Sequence, residues 1–241
     1  MRGTDSSAVT RSTLRQQIAD ALRDEVLSGR LEPGQEFTVK EIAEQYGVSA
    51  TPVREALVDL SAQGLLDSVQ HRGFRVHEYS VGDFRSMIEA RCLVTDALFR
   101  GCAAEVPYIG GGAHVGDNAS THAGTAATAL LSVRRRGEEA QRAAAAGDLN
   151  ILIGYDLRFW RELGALFENP YLSDFLHRLR VQSWVAAVPH LRRLGDLRGV
   201  LWTGHNELVS ALGRRDRETA QAIIAGYNTA SLALIERLAG E

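Results

Sequence analysis

The stretch FTVKEIAEQYGVSATPVREALVDLSAQGLLDSVQHRGFRV, residues 37–76, constrains the fold of this chain more than any other. Its spacing predicts two short helices crossing at a tight turn. Ala43 is small enough to let the helices approach, Gly47 permits the turn, and the β-branched Val53 anchors the second helix. Pro52 suits the first turn of that helix, where its missing N–H would have no intrahelical partner anyway. Val53, Ala56, Leu57 and Leu60 make one apolar stripe, which leaves Thr51, Arg54 and Glu55 facing outward. Gly64-Leu65-Leu66 ends the helix, and two short strands flank His71-Arg72-Gly73. This order of elements is that of a winged helix-turn-helix, whose second helix enters a DNA major groove while the wing tip meets the backbone or minor groove.

The charge balance of this region is not that of a uniformly basic domain. The whole chain is formally −3, and residues 1–78 hold nine Arg or Lys against twelve Asp or Glu. Phosphate binding needs local rather than net positive charge, and Lys40 (the chain's only lysine), Arg54, His71, Arg72 and Arg75 can supply it on one face.

With 241 residues the chain is long enough for two domains, each with its own core. Its 45% hydrophobic and 24% charged residues are an ordinary globular composition. No apolar run approaches the roughly 20 residues that span a bilayer. The N-terminal MRGTDSSAVTRS has no apolar segment to serve as a signal. A cytoplasmic protein with no membrane partner is expected. Cys92 and Cys102 fall on one predicted helix, about 15 Å apart along its axis, too far for a disulfide.

The fold class expected is mainly α, a winged helix-turn-helix over residues 8–77 followed by an all-helical bundle over residues 83–239. The first helix, about 11–30, carries Leu14, Ile18, Leu22 and Val26 on one face. In the second domain helices are expected over about 83–105, 126–146, 148–167, 171–187, 200–213 and 216–238, with Asp148 and Asp216 as N-caps. Residues 106–125, rich in Gly, Ser, Thr and Asn, read as a flexible insertion, and His114 and His122 within it as solvated. Arg134-Arg135-Arg136 followed by Glu138-Glu139 reads as a solvated face rather than a second nucleic-acid site.

Four polar residues of this second domain lie on apolar stripes. Arg91 shares one with Phe84, Ile88 and Leu98, and Asp156 one with Trp160 and Leu163. His205 shares one with Leu208, Val209 and Leu212, and Tyr227 one with Ile223, Ala230 and Leu234. Inward charges are costly unless paired or bound to something, so these four are expected to converge on one cavity between helices. The alternative is a closed core in which Asp156 pairs with Arg91 or His205 and no ligand enters.

On these motifs the sequence resembles the GntR family of bacterial transcription regulators, in its FadR-like subfamily with an FCD effector domain. In the N-terminal domain, from Leu14 to Val76, the resemblance is carried by PGQ, VSATPVREAL, QGLL and GFRV. In the second it is carried by Arg91, Asp156-x-x-Phe159, Asn169-Pro170-Tyr171-Leu172, His205-Asn206-Glu207-Leu208 and Gly213-x-x-Asp216. The resemblance implies a homodimer on a palindromic double-stranded DNA operator. Its DNA-binding residues would be Lys40, Ser49, Thr51, Pro52, Arg54, Glu55, His71, Arg72 and Gly73. Lys40 stands where relatives usually have arginine, and so does Ala50, which removes one candidate for the strong arginine–guanine contact.

In many relatives, the resemblance further implies, the effector cavity holds a divalent metal on an Asp, a His four residues later and two more His. Asp156 and His205 match, but Trp160 and Tyr227 occupy the other two places, and neither is a normal ligand for zinc, nickel or manganese. The expectation is therefore no cofactor and no intact metal site, with Asp156 and His205 as residual metal candidates. The effector-binding set would be Arg91, Asp156, Trp160, His205 and Tyr227, with Arg91 facing the carboxylate of a small organic effector and Trp160 and Tyr227 as walls. A ligand-responsive regulator, a repressor rather than an enzyme, is the leading reading. A metal-dependent sensor, an enzyme using Asp156 and His205 as an acid–base pair, and an architectural DNA-binding protein remain as alternatives.

Overall fold

The computed structural model describes residues 5–101, 119–167 and 169–240, which fall into two compact units, 1–80 and 81–241. The expected mainly α fold, a winged helix-turn-helix and a helical bundle, is what forms.

The first unit begins with α1 (Asp5–Leu27), β1 (Glu36–Phe37), α2 (Val39–Tyr46) and α3 (Ala50–Ala62), and closes with β2 (Leu66–Val69) and β3 (Gly73–Val76). Helix α1 buries Ile18, Leu22 and Val26 and packs on α3, whose Val53, Ala56, Leu57 and Leu60 are fully enclosed. Burying each large apolar side chain contributes about 1.5–3 kcal/mol, so this stripe is what fixes α3 in place. Thr38 and Glu41 form a reciprocal capping box at the start of α2, and Gly47 ends it with φ 65°. The three strands form an antiparallel sheet in the order β1-β3-β2, with Phe37 opposite Phe74. Gly73 is required here. Its φ is 120°, and a Cβ there would lie 2.4 Å from the Phe37 carbonyl oxygen.

The second unit comprises α4 (Val81–Gly101), α5 (Ala119–Ala146), α6 (Leu149–Ala165), α7 (Pro170–Leu191), α8 (His205–Gly213) and α9 (Arg217–Gly240). Helix α4 packs on α7 and α9, α6 lies between α5 and α7, and α8 rests on α5 and α9. Asp148 caps α6 through Ile151 N–H at 3.0 Å, and Asp216 accepts from Thr219 N–H at 3.0 Å before α9. Both caps stand where the sequence places them.

Boundaries differ from expectation at four helices, and the first of these, α1, runs from Asp5 to Leu27 instead of about 11–30. Helix α5 starts at Ala119, inside the segment read as a flexible insertion. Once Val133, Ala140 and Ala144 are buried, each further residue adds a hydrogen bond without a new nucleation cost, so a Gly- and Thr-containing end still extends the helix. Residues 102–118, with Cys102 and His114, lie outside the described residues, as does the His122 side chain. Helix α7 runs through Pro189 to Leu191, since a proline in the last turn removes only one hydrogen bond. The helix expected from 200 begins at His205, which leaves Trp202 in a non-helical segment.

Candidate functional site

Each unit carries one candidate site. In the first, α2 and α3 border a shallow groove of about 450 Å³ lined by Lys40, Glu44, Gly47, Ala50 and Arg54. Ser49, the N-cap position of α3, makes no hydrogen bond to its helix and is exposed, as are Ala50, Thr51, Arg54 and Glu55. Pro52, by contrast, is buried and props the helix rather than facing solvent. Lys40 pairs loosely with Glu44 at 3.7 Å, with both side chains largely exposed. Such a pair is weak and readily exchanged for a phosphate. Arg54 projects from the exposed face of the helix and forms no ion pair among the described residues. At the wing tip His71 and Arg72 are exposed, and His71 takes a positive φ of 61°. Arg75 does not join the free cations of the wing, because its guanidinium lies 3.5 Å from Asp67 on the neighbouring strand.

In the second unit a cavity of about 410 Å³ lies among α4, α6, α7, α8 and α9. Arg91, Asp156, His205 and Tyr227 all line it, and with them Arg180 of α7. Asp156 is the hub. Its Oδ1 accepts from Trp160 Nε1 at 2.9 Å and faces His205 Nε2 at 3.0 Å, while its Oδ2 accepts from Trp184 Nε1 at 2.8 Å. Burial pushes the Asp156 pKa up. The hydrogen bond and charge of His205, the Arg180 charge and the Trp184 N–H outweigh it and hold the carboxyl below the usual carboxylate range. With Asp156 ionised, His205 Nε2 carries the hydrogen and donates.

Arg180 lies over Trp160, its guanidinium carbon 3.5 Å from the ring centroid. Burial first, and Arg91 second, pull its pKa down to about 9, against Tyr227 and Asp156, so it is a cation at neutral pH. Arg91 donates from Nη2 to Asn228 Oδ1 at 2.8 Å and sits 5.2 Å from the Tyr227 centroid. Burial, aided by Asp156, raises the Tyr227 pKa despite the two arginines, which keeps the phenol protonated.

Trp160 departs from its expected place. It is 6% exposed and belongs to the apolar cluster of Phe159, Leu163, Leu208 and Leu212, one layer behind the cavity wall. Trp202 stands at the wall instead, 4.5 Å from the Tyr227 ring centroid, and Gly204 makes room for it. A Cβ at Gly204 would fall 2.7 Å from the Trp202 ring. The sequence reading missed Arg180, Trp184, Trp202 and Asn228. A signal for the first two existed: Arg180, Trp184, Ala187 and Leu191 repeat at helical spacing, which places an arginine on an apolar stripe as at Arg91.

The donor set does not fit a divalent ion. Both oxygens of Asp156 already accept hydrogen bonds, and the indole of Trp160 can only donate. Among the described residues, no group of three or more His, Cys, Asp or Glu is placed so that it could hold a metal ion.

Comparison with known proteins agrees with this two-part construction. A model of the bacterial regulatory proteins of the gntR family matches residues 9–76, and a model of the FCD domain matches residues 118–228. The chain is 41% identical over 86 residues to the "Probable D-xylose utilization operon transcriptional repressor" of Paenarthrobacter nicotinovorans. That stretch is 36% of this chain and spans only 38% of that protein's length. It is 26% identical over 225 residues, 91% of each chain, to the HTH-type transcriptional regulator McbR of Escherichia coli (strain K12). The solved structure of E. coli McbR/YncC is similar with a TM-score of 0.68 at 22% identity, covering 93% of this chain and 97% of that one, which shows a shared fold. Among the described residues, no helix is long and apolar enough to cross a membrane.

Proposed function

Because this chain belongs to the GntR family of bacterial regulatory proteins, among those that carry an FCD domain, we propose that it represses transcription as a homodimer on a palindromic operator and answers to a small organic anion. The observation that carries the effector reading is the cavity itself. Five helices bring Arg91, Asp156, Arg180, His205 and Tyr227 to one wall, with two buried guanidiniums against a single carboxylate. An uncompensated buried cation is costly, so the wall favours an anionic guest.

The DNA reading rests on the exposed α3 face with Arg54 and on the wing tip with His71 and Arg72. One winged unit covers a half-site, and two-fold symmetry doubles its contacts, which is why a dimer on an inverted repeat is proposed. Repression is the role named for the D-xylose operon regulator that the N-terminal unit resembles, and a cytoplasmic place accords with a partner that is DNA. Catalysis is not part of the proposal: the Asp156 carboxylate is held by three donors, and the relatives are transcription regulators.

Selection of bound DNA from a random pool, followed by footprinting at saturation, tests the reading. An inverted repeat protected symmetrically is expected. An asymmetric single half-site at saturation would remove the dimer, and absence of any sequence preference would remove the regulator.

A further inference from the structure

The hydrogen-bonding capacity of the cavity wall is unevenly distributed. The Asp156 oxygens are taken by Trp160, Trp184 and His205. The Ser183 hydroxyl donates to the Leu179 carbonyl at 2.6 Å, and the Ser231 hydroxyl to the Tyr227 carbonyl at 2.8 Å. The buried polar atoms of the wall left without a protein partner are Arg180 Nη1, Arg91 Nε and His205 Nδ1. The two guanidiniums flank one ring, that of Tyr227, at 5.9 and 5.2 Å from its centroid. Much of the remaining wall, including Phe84, Leu152, Leu191, Leu201 and Leu234, offers only carbon.

We propose that this cavity takes a carboxylate borne on a flat apolar body, an aryl carboxylate, whose oxygens lie on Arg180 Nη1 and Arg91 Nε and whose ring lies against Trp202 and Tyr227. The inference deepens the effector reading above and rests on it. Arg180 is thereby the principal anion-binding residue, and Arg91, tied to Asn228, the second. Trp160 is a positioning residue. Its ring fixes the Arg180 guanidinium from below, and its N–H fixes the Asp156 carboxylate that balances part of the charge. A fixed guanidinium therefore supplies the positive centre in place of a metal ion.

The apolar end of the wall decides against a polyhydroxylated acid. Hydroxyl groups facing Leu201 or Leu234 would leave water and find no partner. The aromatic faces of Trp184, Trp202 and Tyr227 favour a flat guest over a flexible aliphatic chain, because ring pairs stack and a rigid body loses little freedom on binding.

The chain has three tryptophans, and all of them, Trp160, Trp184 and Trp202, stand at or directly behind this wall. Intrinsic fluorescence of the full-length protein therefore reports on the site. Benzoate, naphthoate, hexanoate and gluconate are titrated in turn, with melting temperature as a second readout. The expected result is a saturable change with the aryl carboxylates, weaker binding of hexanoate and weakest binding of gluconate. Arg180→Gln is expected to lower aryl carboxylate affinity by about tenfold to a hundredfold, the loss of a charge-assisted contact. Should that variant fail to fold, Arg180→Lys keeps the charge but loses the flat fork over Trp160, and a clear loss of affinity is expected there too. Gluconate binding more tightly than benzoate overturns the inference. So does the absence of a saturable change with any aryl carboxylate at a few millimolar, or unchanged affinity in a folded Arg180→Gln protein. Operator binding separates the two readings. An aryl carboxylate that binds without altering operator affinity leaves this inference standing and removes the regulatory one, whereas gluconate that binds and releases DNA does the reverse.

Discussion

Arg180 and Trp160, on α7 and α6, are stacked with the guanidinium 3.5 Å from the ring centroid, and the same indole donates its N–H to Asp156. One side chain thus holds both the buried cation and the carboxylate that balances it. The position at which the family resemblance implies a ligating histidine supports an arginine instead.

Removing the carboxylate should be costly. Asp156→Ala leaves Trp160, Trp184 and His205 without their acceptor and Arg180 without its nearest negative charge, a loss of about 3–5 kcal/mol. Denaturant unfolding measures it. The sign with pH follows from the depressed carboxyl: its contribution is present above the unfolded value, about 3.9, and is lost as pH falls through the lower folded value. The stabilities of wild type and Asp156→Asn should therefore differ at neutral pH and converge below about pH 4. A constant difference across that range would show that Asp156 acts through shape rather than charge.

Metal should be dispensable. Protein purified without added metal is expected to carry well under one equivalent by elemental analysis, and a chelator should barely move its melting temperature. A resident ion at a hundredfold excess over its Kd would add roughly 2.7 kcal/mol, which a chelator would remove. Trp160→His combined with Tyr227→His should make stability metal-dependent, since the two rings already stand 5.6 Å apart beside Asp156 and His205. Stoichiometric metal in the wild type would restore the metal-sensor reading.

On α3, Arg54→Ala should abolish specific DNA binding while leaving the melting temperature unchanged, because the side chain is exposed and fills no core volume. Ala50→Arg, at the exposed start of the same helix, should raise affinity for operators of the usual family type. Binding isotherms at matched salt check both, and unchanged affinity in Arg54→Ala would move the reading face elsewhere.

In the wing, Gly73→Ala should strain the sheet, since its Cβ would meet the Phe37 carbonyl oxygen at 2.4 Å in a backbone conformation with φ 120°. A cost of about 1–3 kcal/mol is expected. Faster hydrogen exchange in β1 and β3, with weakened DNA binding, is the measurement. Native exchange rates would mean that the hairpin can shift to make room.

Much of this protein was legible from local chemistry. The zero-exposure stripe Val53, Ala56, Leu57, Leu60, the capping residues Asp148 and Asp216, and the inward Arg91, Asp156 and His205 are all read from helical period and cap preference. These are properties of one helix at a time, and sequence spacing is enough to determine them. Pairing across helices is of another kind. That Arg180 lies on Trp160, that Arg91 turns to Asn228 instead of Asp156, and that Trp202 leaves the helix to become a wall while Trp160 withdraws behind it depend on how five helices cross. A buried charge takes whichever partner the packed geometry brings within about 3 Å, and periodicity carries no information about that distance. The sequence alone determined the inward faces that carry Arg91, Asp156 and His205, and only the tertiary structure decided which buried groups meet there, Arg180 and Asn228 among them.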